Sequence, residues 1–465
     1  MNRRSMAVAA AGFGLVGAIG AARLGQPAGA TPAFAGDGTT DDTDALQKAI
    51  DAGRGGIHLA KGVYRITRPI VIDLDKVGYT AITADGTAAL RMDGAGPALR
   101  FVGTHAGTAA PASFKPNVWD RQRTPRVDGL EIVGNHPEAD GIEAAGTMQL
   151  TVHGITVRRC RHGVHLVRRN RNVILSACHI YQNSGVGVFY DDVNLHQSNI
   201  VGCHISYCDG GGVVTRGGEV RNIHIGTCDI EGNQSKAGPP TANVLIDCTG
   251  GSTAEVAITG CTLQHANVPD SANIRVIGAG SGIRKGTAAQ WGHVTIGNNV
   301  FSDVAVNVDL KDCRGVTVTG NTFWMGYKYN LRAEGCQQLV VGPNAFERNP
   351  AYDYGTSKQT VNALLFKDCR DCTLTGLHVH GVHGEAGLTL DGCSRFNVTG
   401  CSVLDCEGVG VLMKEPRHCR VSDCLVQSDV KGAVSLRVVG GSGNLFADNL
   451  LGNAVQVPKE AGEVR

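Results

Sequence analysis

Four stretches of this chain can be laid over one another line by line. They are GVHLVRRNRNVILSACHIYQNSG at 163–185, VDLKDCRGVTVTGNTFWMGYKYN at 308–330, LTLDGCSRFNVTGCSVLDCEGVG at 388–410 and VLMKEPRHCRVSDCLVQSDVKGA at 411–433, each of 23 residues. Every line holds an alternating strand, a polar turn, a second strand, a small residue and a short third strand. Self-similarity at a fixed period marks a solenoid, in which one repeat cannot bury its apolar face alone and stacks on the next. Three short strands per repeat make one turn of a coil, and stacking pairs each strand in parallel with its counterparts above and below. The expected fold is all-β: a single-chain right-handed parallel β-helix of ~23-residue coils, with a short capping helix at its N-terminal end. Length alone would suggest two or three domains in 465 residues, but a repeat fold grows without adding cores. The composition agrees: 64 glycines and only 5% aromatics suit many short strands and tight turns.

The organisation read along the chain is an export signal over 1–30 and one β-helix domain over 31–465, with an N-terminal cap at 31–75 and coils at 76–460. Arg3-Arg4 precedes the apolar, Ala/Gly-rich run from Ala7 to Ala22, and Ala28-Gly29-Ala30 supplies small residues for cleavage. The arginine pair resembles a twin-arginine signal. The mature protein is expected in the periplasm or outside the cell. A formal net charge of +1 gives no reason to expect nucleic acid or an acidic membrane surface as a partner.

Sixteen cysteines in an exported chain would ordinarily suggest disulfides. Their placement points elsewhere. Cys178, Cys203, Cys228, Cys261, Asn298, Asn321, Asn344, Cys401 and Cys424 take one equivalent position, with Leu377 between, and Cys313, Cys336, Cys369 and Cys393 take another. Thiols pack as small hydrophobes and stacked amides bond along the stack, so most cysteines read as reduced packing residues. No spacing marks a metal site.

Ahead of the coils stand Asp37, Gly38, Thr39, Thr40, Asp41, Asp42 and Thr43, then Leu46 and Ile50 at helical spacing, then Gly62 and Tyr64 in a strand. Thr43 or Asp42 is placed to cap that helix. This stretch resembles the N-terminal segment of the pectate-lyase superfamily, in the group with tailspike-like and polygalacturonase-like β-helices. The resemblance implies a helix closing the open end of the solenoid, and monomers or homotrimers. It does not choose a reaction, because that superfamily holds lyases, hydrolases, epimerases and binding proteins.

The candidate site follows from the outward positions of the first strands. One row reads His165, Gly187, Val214, Leu245, Arg275, Asp309, Arg332; the next reads Val167, Phe189, Arg216, Asp247, Ile277, Lys311, Glu334. Tyr190, Asp191 and Asp192 are placed just past the strand, and Glu219 one coil on. Coils between about 186 and 310 carry extra residues at 232–243, 265–273 and 279–291, and insertions in a solenoid gather where a binding face is built. Asp191, Asp192, Glu219 and Asp247 are the expected catalytic carboxylates. Phe189, Tyr190, Arg216, Arg275, Asp309 and Lys311 are the expected contacts to a polysaccharide or oligosaccharide. Neighbouring coils are about 4.8 Å apart, so Asp247 lies roughly 10 Å from Asp191 and Asp192 before side chains lean together. That spacing leans towards an inverting glycoside hydrolase. A lyase acting next to a uronate carboxylate is the alternative, with Arg216, Arg275 or Lys311 neutralising it and calcium on Asp191, Asp192 and Asp247; the hydrolase requires no cofactor. A non-catalytic glycan-binding or structural β-helix is the third reading, in which Asp191-Asp192 closes a turn and Asp247 pairs with Arg216 at the surface. His179, His196, His204 and His224 read as structural.

Overall fold

The inward residues of each coil are Val, Ile, Leu, Phe, Cys or Asn, and they set where the chain turns. The computed structural model describes residues 34–107, 110–235, 240–282, 284, 286–349, 351 and 356–465. The export signal expected over 1–30 lies outside the described residues. A representative coil consists of Gly211–Arg216, Glu219–Gly226 and Asp229–Glu231. Each strand pairs in parallel with the next coil, as in Val213 with Val244, Ile223 with Val256 and Ile230 with Leu263. Parallel connections of this kind are right-handed. In two coils the first and second strands run on as one, Val164–Ser176 and Val186–Val201. First and second strands share one extended sheet system, and the third strands form a separate 16-stranded sheet.

The turn between second and third strands explains the recurrent Gly-Cys pairs and the Asn298-Asn299 pair. Its first residue is left-handed in coil after coil: Ala177, Gly202, Thr227, Gly260, Asn298, Gly320, Gly376, Gly400 and Asp423 all have φ between 51° and 70°. Glycine takes this conformation without strain, and asparagine and aspartate tolerate it. The next residue then points into the coil. The ladder runs Cys261, Asn299, Asn321, Asn344: each backbone N–H donates to the following side-chain Oδ1 at 2.9 Å. Asn299, not the expected Asn298, is therefore the ladder residue; Asn298 is the left-handed residue before it. All sixteen cysteines are free and buried. Beside the amides, Phe301, Phe323 and Phe346 stack with ring centroids 4.7 and 4.5 Å apart. Each such fully buried apolar side chain contributes about 1.5–3 kcal/mol.

The N-terminal motif is a set of backbone clamps. Asp37 accepts from the N–H groups of Thr39 and Thr40 at 2.7 and 2.8 Å, and Asp41 from Thr43 at 3.0 Å. Asp42 precedes the helix Thr43–Asp51 but reaches back, accepting from Ala35 and Gly36. Leu46 and Ile50 bury against Leu59, Ile70 and Leu90, covering the last rung of the coil. Covering the end removes an exposed strand edge. The first coil is already formed by Gly56–Leu59, Gly62–Ile66 and Ile70–Asp73.

Candidate functional site

Two outward surfaces of the solenoid carry chemistry, one on the first strands and one across a corner on the second strands.

On the first strands, pairing fixes two columns. His165, Phe189, Val214, Leu245, Arg275, Asp309 and Arg332 form one, and Val167, Asp191, Arg216, Asp247, Ile277, Lys311 and Glu334 the other. This matches the expected rows except in one coil. There Phe189 and Asp191 replace Gly187 and Phe189, because the step from His165 to its partner is 24 residues, two more than the expected row allowed. The strand continues through that point, so alternation turns Tyr190 inward. Tyr190 is fully buried with its hydroxyl 2.6 Å from Ser198 Oγ. The expected ligand contact by Tyr190 is thereby corrected: it is a core residue.

Arg275 and Asp309 are also committed within the fold. Asp309 Oδ2 accepts from Arg275 Nε at 2.8 Å and from Arg332 Nη2 at 2.9 Å, and its Oδ1 accepts from Arg332 Nε at 2.8 Å. Arg275 Nη2 also donates to the Asp270 carbonyl at 2.7 Å, tying down the inserted loop that carries Asp270. Burial pushes the Asp309 carboxyl up, but the two guanidiniums outweigh it and hold the group below its ordinary range. With both Asp309 oxygens and the Nε and Nη2 groups of the two arginines engaged internally, this trio is a brace, which corrects the expected ligand role of Arg275 and Asp309.

Of the remaining first-strand residues, Asp191, Arg216 and Lys311 are more open. Asp191 Oδ2 lies 2.9 Å from His165 Nε2. The His165 ring stacks on Phe189 at 5.4 Å, and His162 lies 5.2 Å from the same ring. Phe189 therefore sits beneath two imidazoles and is only 8% exposed. Burial pushes His162 down to about 4, against the opposing pull of Asp140. Asp247 accepts from Thr249 N–H at 2.9 Å and faces Arg216 Nε at 3.8 Å. Lys311 is exposed. Further along this face, Tyr329, Glu334, Lys367, Glu385, Asp391 and Lys414 surround an open depression of about 500 Å³.

Asp192 and Glu219 turn away from this face. Asp192 is left-handed, with φ 42°, and accepts from Gly218 N–H across the corner at 3.1 Å. Glu219 accepts from Asn194 Nδ2 at 2.9 Å. Both border a second depression of about 400 Å³ with His196, Arg221 and Ser252. The four expected carboxylates thus divide into two pairs, Asp191 with Asp247 and Asp192 with Glu219. Asp191, Asp192 and Asp247 do not share one cage for calcium, and no cluster of three or more metal-ligating side chains occurs among the described residues.

The second-strand surface was not legible as a site. Its outward columns are Arg169, Asn194, Glu219, Ser252 and Arg171, His196, Arg221, Ala254. Two insertions between first and second strands wall it, 103–125 on one side and 278–291 on the other. Each wall lays an aromatic ring on an arginine: Phe114 is 4.9 Å from the Arg171 guanidinium and Trp291 is 4.6 Å from that of Arg221. Arg221 donates to the carbonyls of Val220 and Ser252 at 2.8 Å. Arg169 and Arg171 make no ion pair among the described residues, and burial lowers the pKa of both. His196, read from sequence as structural, is held below its ordinary pKa by burial and then by Arg171, Arg221 and Arg169. One signal was present: two of the chain's three tryptophans, Trp119 and Trp291, lie in these two walls.

A family profile described as a right-handed β-helix region matches residues 120–263, inside the paired coils described above. The tailspike protein of Escherichia coli bacteriophage HK620 superposes with a TM-score of 0.53, at 11% identity, over 88% of this chain and 77% of that one. This chain is a right-handed parallel β-helix. A weaker similarity is to the Dettilon tailspike protein, at 14% identity and TM-score 0.44, over 92% of this chain; this β-helix spans 65% of that protein's length. Another is to the A-module of a mannuronan C-5 epimerase of Azotobacter vinelandii, at 12% identity and TM-score 0.36, over 93% of this chain and 98% of that one. Identities this low speak to the fold alone. No curated protein matches the sequence.

A second profile, described as periplasmic copper-binding protein (NosD), matches residues 243–464. The donor set there does not suit a copper ion. Soft-metal ligation needs thiolates gathered around one point. The cysteines of this β-helix instead stand in ladders at the corners of the coil, and no group of three or more His, Cys, Asp or Glu side chains among the described residues could hold a metal ion. No helix among the described residues is long and apolar enough to cross a membrane.

Proposed function

We propose that this β-helix is exported, binds a polysaccharide along its first-strand face and hydrolyses a glycosidic bond with Asp191 and Asp247. The observation that supports this reading is their register. Both stand in one outward column, two rungs apart, on either side of Arg216. Two rungs are roughly 10 Å of backbone, and carboxyl groups leaning together from that separation approach the ~6.5–9.5 Å of inverting glycosidases. One carboxyl protonates the leaving oxygen while the other takes a proton from the attacking water. His165 holds Asp191 in place, and the Thr249 N–H and Arg216 hold Asp247.

Elimination beside a uronate carboxylate is the second reading. One observation favours it: His196 stands between Arg171 and Arg221, a base flanked by two cations that would neutralise such a carboxylate. Incubation with a panel of acidic and neutral glycans separates the two readings. Hydrolysis produces new reducing ends without ultraviolet absorbance, and D191N and D247N each lower the rate about 10²–10⁴-fold. An absorbing, unsaturated product lost in H196A favours elimination. Turnover unchanged in D191N and D247N removes the first reading.

A further inference from the structure

We infer that the walled valley on the second strands, floored by Arg169, Arg171, His196 and Arg221, is a binding site for a linear sugar chain bearing anionic groups, carboxylate or sulfate. This goes beyond the proposed hydrolysis and does not depend on it: the valley lies across a corner from Asp191 and Asp247 and would bind such a chain whether or not a bond is cut.

Four observations carry the inference. The first is unbalanced charge in a semi-enclosed place. Arg169, Arg171 and Arg221 share two adjacent columns and none makes an ion pair among the described residues; Glu219 acts on Arg169 only through space, its own hydrogen bond being to Asn194 Nδ2. Partly buried guanidiniums without counter-ions are a cost in the folded protein, which an anion seated beside them offsets. The second is unspent hydrogen-bonding capacity: Arg171 Nη1 and Asn194 Oδ1 are buried with no partner. Unsatisfied buried polar atoms are rare, and each asks for a reason. The third is preorganisation. Phe114 and Trp291 lie on the Arg171 and Arg221 guanidiniums, one at each end, and Ser252 fixes Arg221 through both its carbonyl and its hydroxyl. Arginines held flat lose little entropy on binding. The fourth is shape. The C-terminal part of the valley is an open depression of about 400 Å³. Arg171 to Arg221 spans two rungs, about 10 Å, so the cations are spaced to meet successive charged groups on an extended chain rather than one compact anion.

A nucleic acid fits less well. Nucleic-acid grooves are continuous positive stripes, and affinity there grows with the number of phosphates neutralised. Here Glu219 and Asp192 border the same depression, and the whole chain carries a formal charge of only +1.

The test is calorimetric titration of the full chain with an oligomer of a linear polyuronate, a sulfated oligosaccharide, a neutral glucan oligomer of equal length and a single-stranded oligonucleotide. The inference predicts binding of the uronate or sulfated oligomer, or of both, that weakens with salt, and no binding of the glucan. R169Q and R171Q, which remove no ion pair, should each weaken binding about tenfold, and together about a hundredfold. W291A, which leaves every valley charge in place, should weaken it several-fold by freeing Arg221. Cleavage lost in D191N or D247N and binding lost in R169Q or R171Q are read separately. Unaltered melting temperatures of R169Q and R171Q guard against misfolding. Absence of binding to both anionic oligomers overturns the inference. So does binding unchanged in the R169Q/R171Q pair, or an oligonucleotide bound more tightly than either sugar.

Discussion

Arginines do opposite work on the two faces of this solenoid. On the first strands, Arg275 and Arg332 close on Asp309 from both sides and use its two carboxylate oxygens between them. Around the corner, Arg169 and Arg171 make no ion pair among the described residues, although they are also partly buried. A charge already matched inside the protein holds the fold and has little left to offer a ligand. A charge left unmatched at a walled, half-dry surface weakens the fold slightly and is available for binding. Exposure alone would not have separated the two sets; pairing with a carboxylate does.

The sharpest way to break this contrast is to remove the centre of the brace. D309N leaves two arginines facing each other without a full counter-charge, and breaking a buried pair of this kind costs about 3–5 kcal/mol. Denaturant unfolding checks it, and a loss below about 1 kcal/mol would place the brace among ordinary surface ion pairs.

Acid should act on the two faces in sequence. Burial, with Arg169 and Arg171 nearby, pushes His105 down to about 4, and His162 reaches about 4 through burial despite Asp140. Below the ordinary histidine value of ~6.5 the unfolded chain takes up protons that the folded chain refuses, so stability falls as pH drops from about 6.5 towards 4. For His105, 3% exposed, the loss is on the order of 3 kcal/mol. The brace has the same sign but acts in a lower pH window. The lowered carboxyl of Asp309 stabilises the fold fully above the ordinary carboxylate range of ~3.9, and that contribution fades only as pH falls further, through its depressed value. Thermal unfolding across this range should therefore show a first decline that H105Q diminishes and D309N does not.

A smaller change calibrates both faces from a position on neither. Thr227 is left-handed at φ 51°, where most neighbouring coils place glycine. T227G should relieve about 1 kcal/mol of backbone strain, less what glycine loses in chain entropy, and raise the melting temperature slightly. The smallest expected effect is in the valley. R171M removes an uncompensated, desolvated cation while keeping an apolar stem against Phe114, so stability should stay within about 1 kcal/mol of native or rise. A loss of several kcal/mol there would mean that Arg171 is structural after all.

The fold was readable because period-23 lines, the Gly-Cys turns and the Asp37–Thr43 motif each have a local physical cause that the sequence displays. The outward column from Arg216 to Glu334 was readable for the same reason, since alternation is local. Tyr190 was misplaced because strand length is not: the strand through it runs unbroken to Val201, and one uncertain turn length before it moved Phe189 and Asp191 by two positions. Arg275 and Asp309 looked like ligand contacts because their partner Arg332 is 23 residues beyond Asp309 and the pairing becomes visible only when coils are stacked. The valley was hidden for a related reason. Its floor comes from adjacent coils, but its aromatic walls come from residues 114 and 291, far apart in the chain and brought together only by the solenoid.

The account turns on whether unmatched arginines mark where this β-helix meets its ligand. A crystal structure of the protein soaked with a short oligouronate tests that most directly. The account predicts sugar density along the second-strand valley, with carboxylates within hydrogen-bond distance of Arg171 and Arg221 and the Arg275–Asp309–Arg332 brace undisturbed. Sugar seated on the brace, or an empty valley with the ligand bound elsewhere, would contradict it.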